Sequence, residues 1–233
     1  MSGTLYGVGV GPGDPDLITL KAHKILQTVP VIAYPAPEQG DSLARRIAAP
    51  HIPQGRREIV IRMPLDLKRF PDRGSYDKAA EQIATALCGG EDVAVICEGD
   101  PFFYGSFMYL FDRLKADFPI QVVPGISSLM ACASAAMMPL VARNETLLVL
   151  PAPMAEADLR GRLALAEAAA IIKLGRHAAK VKGILDDLDL LDDAQYIAHA
   201  TMPDEVVQPL ANMAAEDVPY FAMILVRRKG VGS

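Results

Sequence analysis

The amino-acid sequence predicts an α/β protein. Short runs rich in β-branched residues alternate with longer amphipathic stretches along the whole chain, and this alternation is typical of β-α-β units that form a parallel sheet. Several of the short runs are apolar throughout, as expected of strands that are covered on both faces. The 233 residues, of which 51% are hydrophobic and 22% charged, suffice for one large core or two smaller ones.

In the first half of the chain, five runs are predicted to be strands and two stretches to be helices. The strands are Thr4–Val10, Val31–Tyr34, Glu58–Arg62, Asp92–Cys97 and Ile120–Val123. A helix is predicted at Asp16–Gln27, since Asp14 is suited to the N-cap and Pro15 to the first turn. A second helix is predicted at Ser75–Cys88, where two following glycines are typical of a helix end.

After Pro124 the composition changes, and a helix rich in Ala, Ser and Met is predicted at Ser127–Met138. Further strands are predicted at Thr146–Leu150, Ala170–Leu174, Gln195–Ala198 and Tyr220–Val226. We therefore predict two domains of ordinary size, residues 1–118 and 119–233. The acidic stretch at 186–193 lacks the Gly and the terminal Glu of a calcium loop and is interpreted as a solvent-exposed helix end.

The charge balance argues against a nucleic-acid-binding protein. The chain has 23 Lys and Arg against 28 Asp and Glu, a net charge of −5 at pH 7, whereas nucleic-acid-binding domains are usually basic. The first ten residues contain no Lys or Arg, so neither a signal peptide nor a transit peptide is predicted. The longest apolar stretch, Met130–Ala142, is too short to cross a bilayer. We expect a cytoplasmic protein with no nucleic-acid or membrane partner.

The cysteines and histidines give no sign of a metal site. Cys88, Cys97 and Cys132 form no CxxC pair and lie in apolar stretches, as is usual for buried cysteines. The four histidines lack the spacing of a zinc-binding helix motif. We expect neither a protein-bound metal nor a disulfide framework.

The first predicted strand runs into a glycine-rich turn, GVGVGPGDP at residues 7–15. A dinucleotide fingerprint, G-x-G-x-x-G, would need glycine where Pro12 or Asp14 stands. A phosphate-binding P-loop is excluded because no Gly-Lys-Ser/Thr follows. The turn is either a backbone-lined loop at the carboxyl end of a strand, where open α/β sheets bind ligands, or a simple strand-to-helix connection.

Two further strand ends combine glycine with polar or aromatic residues. The run CEGDPFFYGS at 97–106 places Glu98 and Asp100 beside Gly99 and three aromatic side chains. It is suited to binding a flat ligand, or it is a capped helix start with aromatic core residues. The run PGISS at 124–128 carries two hydroxyls after a glycine turn, and either hydroxyl could be a helix N-cap.

Taken together, these runs resemble the signatures of the tetrapyrrole methyltransferases, the corrin and sirohaem methylases that use S-adenosyl-L-methionine. The four matching segments are spread along nearly the whole chain: GVGPGDPDLIT at 9–19, EGDPFFYGS at 98–106, VVPGISS at 122–128 and ATMPDE at 200–205. Residues 34–35, 40–45, 105–110 and 124–132 are similar to the branch that methylates a meso carbon of a reduced tetrapyrrole.

This resemblance implies a homodimer of two α/β domains, with a mainly parallel sheet in the N-terminal domain and a mixed sheet in the C-terminal one. It also implies that the methyl donor binds in the cleft between the domains. The implied donor contacts are Pro12, Gly99, Asp100, Phe103, Ser127, Ser128, Leu174, Ala200 and Ala222. Relatives often carry Met in place of Leu174, a volume-conserving difference, and frequently carry Gln in place of Glu205.

The implied reaction is an in-line displacement, in which a carbon of the tetrapyrrole attacks the sulfonium methyl group. Sulfonium is an excellent leaving group, so holding the two reactants in near-attack geometry can supply most of the acceleration, roughly 7–11 kcal/mol at best. If a base removes the proton from the attacking carbon, the candidates by position are Asp100, Glu98 and Tyr104.

The implied acceptor carries many carboxylates, so an acidic protein must concentrate positive charge where the acceptor docks. The candidate contacts are Arg45, Arg176, His177, Gly11 and Gly13, with Arg46, Arg143 and Lys173 as further cations. Arg45 and Arg46 could equally lie on a solvated helix face. Whether the acceptor contains cobalt is left open, as are a methylase for another carbon, a tetrapyrrole carrier and a nucleotide-dependent enzyme.

Overall fold

The computed structural model describes residues 1–63 and 73–228 and confirms the α/β class. The chain forms two compact units, residues 1–127 and 128–233, and each unit contains its own sheet. Among the described helices, none has the length and the apolar character needed to cross a membrane.

The first unit is built on a parallel sheet, as predicted. Its strands are β1 (Leu5–Gly9), β2 (Val31–Pro37), β3 (Arg57–Met63), β4 (Val93–Cys97) and β5 (Ile120–Val123), in the spatial order β3-β2-β4-β1-β5. Every neighbouring pair is parallel. The carboxyl ends of these strands therefore lie at one edge of the sheet, which is the edge where ligands bind in open α/β folds.

Helices cover both faces of this sheet, which explains why its central strands are apolar throughout. They are α1 (Leu20–Thr28), α2 (Leu43–Ala48), α3 (Arg73–Cys88) and α4 (Phe107–Leu114). In β4, Val93, Val95 and Cys97 pack with residues of α3 and α4. Ala94 and Ile96 pack on the opposite face with residues of α1 and α2. Apolar burial on both faces stabilises the sheet by about 25 cal/mol for each Å² removed from water.

The first helix begins later than predicted. A separate 3-10 turn, Pro15–Leu17, precedes it and is capped by Asp14, whose side chain accepts a hydrogen bond from the Asp16 N–H at 2.9 Å. Thr19 then caps α1 by accepting from the Ala22 N–H at 3.2 Å. The sequence therefore contains two successive caps, and the prediction used only the first.

The second unit contains the mixed sheet that was predicted. Its strands are β6 (Leu147–Pro151), β7 (Ala168–Ile172), β8 (Ala194–Ala198), β9 (Val206–Pro209) and β10 (Ala222–Arg227), in the spatial order β6-β7-β10-β8-β9. β6 and β7 are parallel, and the other neighbouring pairs are antiparallel. The helices of this unit are α5 (Ser128–Ala135), α6 (Glu156–Leu165) and α7 (Ala178–Asp187).

Two elements of the second unit end earlier than predicted because a residue adopts a left-handed backbone. β7 ends at Ile172, before Lys173 with φ +58°, and α5 ends at Ala135, shortly before Met137 with φ +49°. A strand or a right-handed helix requires negative φ, so neither element can continue through such a residue.

The first unit continues past residue 118, where the sequence suggested a domain boundary. β5 pairs with β1, for example Val123 with Val8, so this strand belongs to the first sheet. The chain leaves the first unit only after Ser127.

Candidate functional site

Glycine-containing loops meet at the carboxyl edge of the first sheet, after the neighbouring strands β1, β4 and β5. A backbone bridge joins the first two loops. The Gly99 N–H donates to the Gly11 carbonyl oxygen at 2.7 Å, and the Gly11 N–H donates to the Gly99 oxygen at 3.4 Å. Gly11 has φ +86° and Gly99 has φ +63°, values that favour glycine. Pro12 is buried and Gly13 is half-buried in the loop that follows Gly11.

The β5 loop approaches the other two so closely that side chains do not fit between them. A Cβ atom on Gly9 would lie 2.5 Å from the Gly99 carbonyl oxygen and 2.6 Å from the Gly125 nitrogen. A Cβ atom on Gly125 would lie 2.0 Å from the same Gly99 oxygen. Contact between the loops themselves therefore requires glycine at both positions, whether or not a ligand is bound.

Asp100 ties the β4 loop to the β5 loop. Its Oδ1 accepts hydrogen bonds from the N–H groups of Phe102 at 2.9 Å and Phe103 at 3.1 Å. Its Oδ2 accepts from the Gly125 N–H at 3.0 Å. A carboxylate with three backbone donors holds loops in place, and this geometry favours a structural role for the Asp100 side chain over proton transfer.

Glu98, another predicted candidate base, anchors a helix. Its Oε1 accepts from the Ala44 N–H, in the first turn of α2, at 3.1 Å. Ser42 completes this helix start by accepting from the Arg45 N–H at 3.2 Å. Burial raises the pKa of the Glu98 carboxyl, and the backbone hydrogen bonds it accepts oppose that rise. The sequence could not reveal this contact because Ala44 lies 54 positions away.

The aromatic residues after β4 form a partly exposed group. The Phe102 side chain is 46% exposed, and its ring meets the Phe111 ring edge-on, with centroids 5.1 Å apart. Tyr104 has φ +56° and a ring that meets Phe103 at 5.2 Å, also edge-on. These rings can contact the flat part of a ligand.

In the second unit, the structure brings three predicted donor contacts to one edge of the mixed sheet. Leu174 follows β7, Ala200 follows β8, and Ala222 begins β10, which is antiparallel to both strands. Ala222 pairs in register with Ala198 at the end of β8. Leu174 is fully buried and the two alanines nearly so. Ser127 is half-buried, and Ser128 is exposed at the start of α5.

The turn after β8 is held by two carboxylates. His199 has φ +50° and Thr201 has φ +68°, on either side of Ala200. The Glu205 carboxylate accepts from the Thr201 N–H at 2.6 Å, and Asp204 Oδ2 lies 2.5 Å from His199 Nδ1. The polar role of Glu205 was not predicted from the sequence. A glutamine at this position would offer the same kind of acceptor oxygen.

The predicted cations occupy different surroundings. Arg176 and His177 lie in a 3-10 turn, Gly175–His177, after β7. Burial, together with the neighbouring Lys180 and Arg176, lowers the pKa of His177 from 6.5, so its imidazole is neutral at pH 7. In the free protein His177 is therefore a hydrogen-bonding group rather than a positive charge.

A cavity of about 260 Å³ opens beside α2 at the carboxyl ends of β2 and β3. It is lined by Tyr34, Ala36, Gly40, Asp41, Ser42, Arg45, Arg46, Ala49, Val60 and Arg62. Arg45 forms an ion pair with Glu58 at 2.8 Å. Arg62 was not among the predicted contacts, although its place at the carboxyl end of a predicted strand was a usable signal.

The described residues contain no group of three His, Cys, Asp or Glu side chains suited to a metal ion. Burial raises the pKa of Cys97 and of Cys132 to about 12. Neither thiol therefore supplies a thiolate near neutral pH.

Comparisons with known proteins agree on one family. The model of the tetrapyrrole (corrin/porphyrin) methylases matches residues 4–214. A precorrin-2 C(20)-methyltransferase from a Sinorhizobium species is 40% identical over 232 residues, covering 96% of this chain and 95% of the relative. A cobalt-precorrin-2 C(20)-methyltransferase from Salmonella typhimurium is 28% identical, covering 98% of each chain. A solved uroporphyrin-III C-methyl transferase from Thermus thermophilus, complexed with S-adenyl homocysteine, has a TM-score of 0.70 at 22% identity, covering 97% of this chain and 92% of its own.

Proposed function

The chain belongs to the tetrapyrrole (corrin/porphyrin) methylase family and is a methyltransferase, and we propose that it methylates precorrin-2 at C20 to give precorrin-3A. The observation that carries this proposal is the 40% identity to a precorrin-2 C(20)-methyltransferase over nearly the full length of both chains. The reaction belongs to cobalamin biosynthesis, and the proposed methyl donor is S-adenosyl-L-methionine.

The chemistry of the proposed contact residues suits such a donor. When bound, S-adenosyl-L-methionine supplies an electrophilic methyl group on a sulfonium sulfur. The glycine loops offer backbone groups that polar parts of a ligand can reach, Phe103 offers a ring for the adenine, and the serines offer hydroxyls. The proposed contacts are Pro12, Gly99, Asp100, Phe103, Ser127, Ser128, Leu174, Ala200 and Ala222. The solved relative bound to S-adenyl homocysteine supports this choice of donor.

The role that we assign to the protein in catalysis is mainly positional. Asp100 and Glu98 both accept hydrogen bonds from backbone N–H groups, which supports a role for these carboxylates in keeping the loops fixed. Fixed loops hold the donor and the acceptor carbon in near-attack geometry, a contribution of roughly 7–11 kcal/mol at best.

A second candidate acceptor is the cobalt complex of the same tetrapyrrole. The 28% identical relative from Salmonella typhimurium, which is named for that acceptor, favours this alternative. The lower identity makes the metal-free acceptor the better supported of the two.

The proposal also covers the acceptor contacts and the state of the protein. Arg45, Arg176 and His177, with the backbone of Gly11 and Gly13, are proposed to contact the tetrapyrrole. The protein is proposed to be a cytoplasmic homodimer without a bound metal. Sedimentation, cell fractionation and metal analysis of the purified protein test these three statements.

The experiment that tests the function is anaerobic incubation with S-adenosyl-L-methionine and one acceptor at a time, followed by mass analysis of the product. The acceptors are precorrin-2, its cobalt complex and uroporphyrinogen III. Addition of one methyl group to precorrin-2 is the expected result, and turnover of the cobalt complex alone would establish the alternative. Turnover of uroporphyrinogen III alone, binding without methyl transfer, or a preference for NAD or ATP would each reject both candidates.

A further inference from the structure

We propose that the cavity beside α2 binds one carboxylate side chain of the tetrapyrrole through Arg46 and Arg62, while Glu58 holds Arg45 in place as a support. This inference rests on the proposed function, because the acceptor supplies the carboxylate. In this proposal the main contacts of the anion are Arg46 and Arg62, and not Arg45, which the sequence had favoured.

The size of the cavity suits a side chain of the acceptor rather than the whole molecule. Its volume is about 260 Å³. Pockets that enclose a whole drug-sized ligand measure roughly 300–1,000 Å³. An acetate or propionate group of the tetrapyrrole therefore fits with room for water, and the macrocycle remains outside.

The net charge around the cavity is suited to binding one carboxylate. Arg45, Arg46, Arg62 and Asp41 all line it, and Glu58 neutralises Arg45 through the ion pair at 2.8 Å and a second hydrogen bond at 3.0 Å. Counted with Glu58 and Asp41, the three arginines leave a formal net charge of about +1 around the cavity. Neither Arg46 nor Arg62 forms an ion pair with an acidic residue in the ranges 1–63 and 73–228.

Glu58, the partner of Arg45, is itself held from two sides, by Arg45 and by Tyr34. The Tyr34 hydroxyl donates to the other oxygen of Glu58, and burial together with this contact raises the pKa of Tyr34 to about 12. The hydrogen bond from Arg45 lowers the pKa of Glu58, so the carboxylate stays ionised at neutral pH. A guanidinium with such a partner gains less from a new anion than one without.

Arg62 is oriented by the backbone and retains donors for a ligand. Its Nη1 donates to the carbonyl oxygens of Pro37 and Gly40, both at 2.9 Å. A guanidinium has five N–H groups in a fixed fork, and within residues 1–63 and 73–228 the three on Nε and Nη2 donate to no other group. Arg46 is exposed on α2, next to Arg45, and can approach the same anion.

The cavity lies at the same sheet edge as the glycine loops. β2 is the neighbour of β4, and Glu98, which directly follows β4 and precedes Gly99, accepts the hydrogen bond from Ala44 of α2. One hydrogen bond thus connects the helix that carries Arg46 to the loop proposed to contact the donor. An acceptor side chain in this cavity would orient the macrocycle relative to that loop.

The test is anaerobic measurement of precorrin-2 affinity in the presence of S-adenosylhomocysteine, for variants that change the cavity charge in both directions. We expect Arg46→Gln to weaken acceptor binding about tenfold, in line with the loss of one charge-assisted contact. We expect Asp41→Asn to tighten acceptor binding, since it removes the opposing charge. S-adenosylhomocysteine affinity should not change in either variant.

Two further variants serve as controls. Arg57→Gln removes an arginine at the opposite end of β3, where it pairs with Glu91, and should leave acceptor affinity unchanged. Arg62→Lys keeps the positive charge but loses the paired N–H groups of the guanidinium, so we expect this variant to bind the acceptor more weakly. Lysine is chosen over glutamine because Arg62→Gln also removes the charge-assisted hydrogen bonds to the loop at 37–40.

The inference is overturned if Arg46→Gln and Asp41→Asn both leave acceptor affinity unchanged, or if Arg57→Gln weakens it as much as Arg46→Gln. Turnover by the unmodified protein is measured separately. If acceptor affinity falls in Arg46→Gln and rises in Asp41→Asn but no methyl group is transferred, the cavity assignment stands and the proposed function is rejected. If the unmodified protein turns over normally and neither variant changes acceptor affinity, the proposed function stands and the cavity assignment is rejected.

Discussion

At position 125, glycine is required by the contact between loops and not by a ligand. We expect Gly125→Ala to destabilise the protein by roughly 1–3 kcal/mol, the usual cost of overpacking, because its Cβ would lie 2.0 Å from the Gly99 oxygen. Gly161→Ala in α6 is the matched control, since a Cβ there meets no atom within 4 Å, and it should stabilise by about 0.5–1 kcal/mol. Denaturant unfolding measures both changes. A Gly125→Ala variant as stable as the unmodified protein would contradict the described contact.

Single residues also mark the limit of sequence-based interpretation. The motif around Gly99 correctly indicated a glycine turn at a strand end. It did not distinguish a candidate base from an acceptor of backbone hydrogen bonds, because one donor to each carboxylate lies elsewhere in the chain: Ala44 for Glu98 and Gly125 for Asp100. Only the fold brings these partners together.

At the scale of elements, the start of α2 depends on Glu98, which leads to a pH-dependent prediction. Burial raises the pKa of Glu98 above its ordinary 4.5, so the folded protein loses stability as the pH rises through that raised value. Glu98→Gln retains an acceptor oxygen without the charge. We expect this variant to be more stable than the unmodified protein above the raised pKa, and equally stable below about pH 4.

Glu98→Ala is the contrasting variant. It leaves the Ala44 N–H unpaired and should cost about 1–3 kcal/mol. Urea unfolding of both variants at several pH values measures the effect. If Glu98→Gln were less stable than the unmodified protein at about pH 8, the described desolvation of Glu98 would be wrong.

The turn after β8 gives a prediction about donor binding. Glu205→Ala removes the acceptor of the Thr201 N–H and frees the strained backbone on both sides of Ala200, so we expect S-adenosylhomocysteine affinity to fall several-fold. Glu205→Gln retains an acceptor and should restore most of that affinity. Calorimetric titration measures both variants. Equal losses in the two would show that the charge of Glu205, and not its hydrogen bond, is what matters.

A strong apolar pattern located β4 well, and the short strand β5 was also located correctly, whereas α2 and β9 were missed. β4 is apolar along its length and was located to within one residue. α2 has six residues, and β9 has four of which three are exposed, so neither shows a periodicity long enough to detect. Left-handed residues such as Lys173 and Met137 also end elements without a glycine to signal it.

For the whole molecule, the alternation of strands and helices was sufficient to predict the α/β class, and the order and spacing of the signatures were sufficient to predict the family. The net charge of −5 suggested that basic residues would be concentrated locally. The arginine cavity beside α2 is such a concentration, but its lining comes from three separate elements, and so the pairing of Arg45 with Glu58 could not be read from the sequence.

The most direct test of the central claim is to locate the transferred methyl group. The unmodified protein is incubated anaerobically with precorrin-2 and S-adenosyl-L-methionine carrying a 13C-labelled methyl group, and the product is examined by 13C NMR. The account predicts one enriched methyl signal, assigned to C20. Enrichment at any other carbon, or no enrichment under conditions in which the 40% identical Sinorhizobium relative turns over, would contradict it.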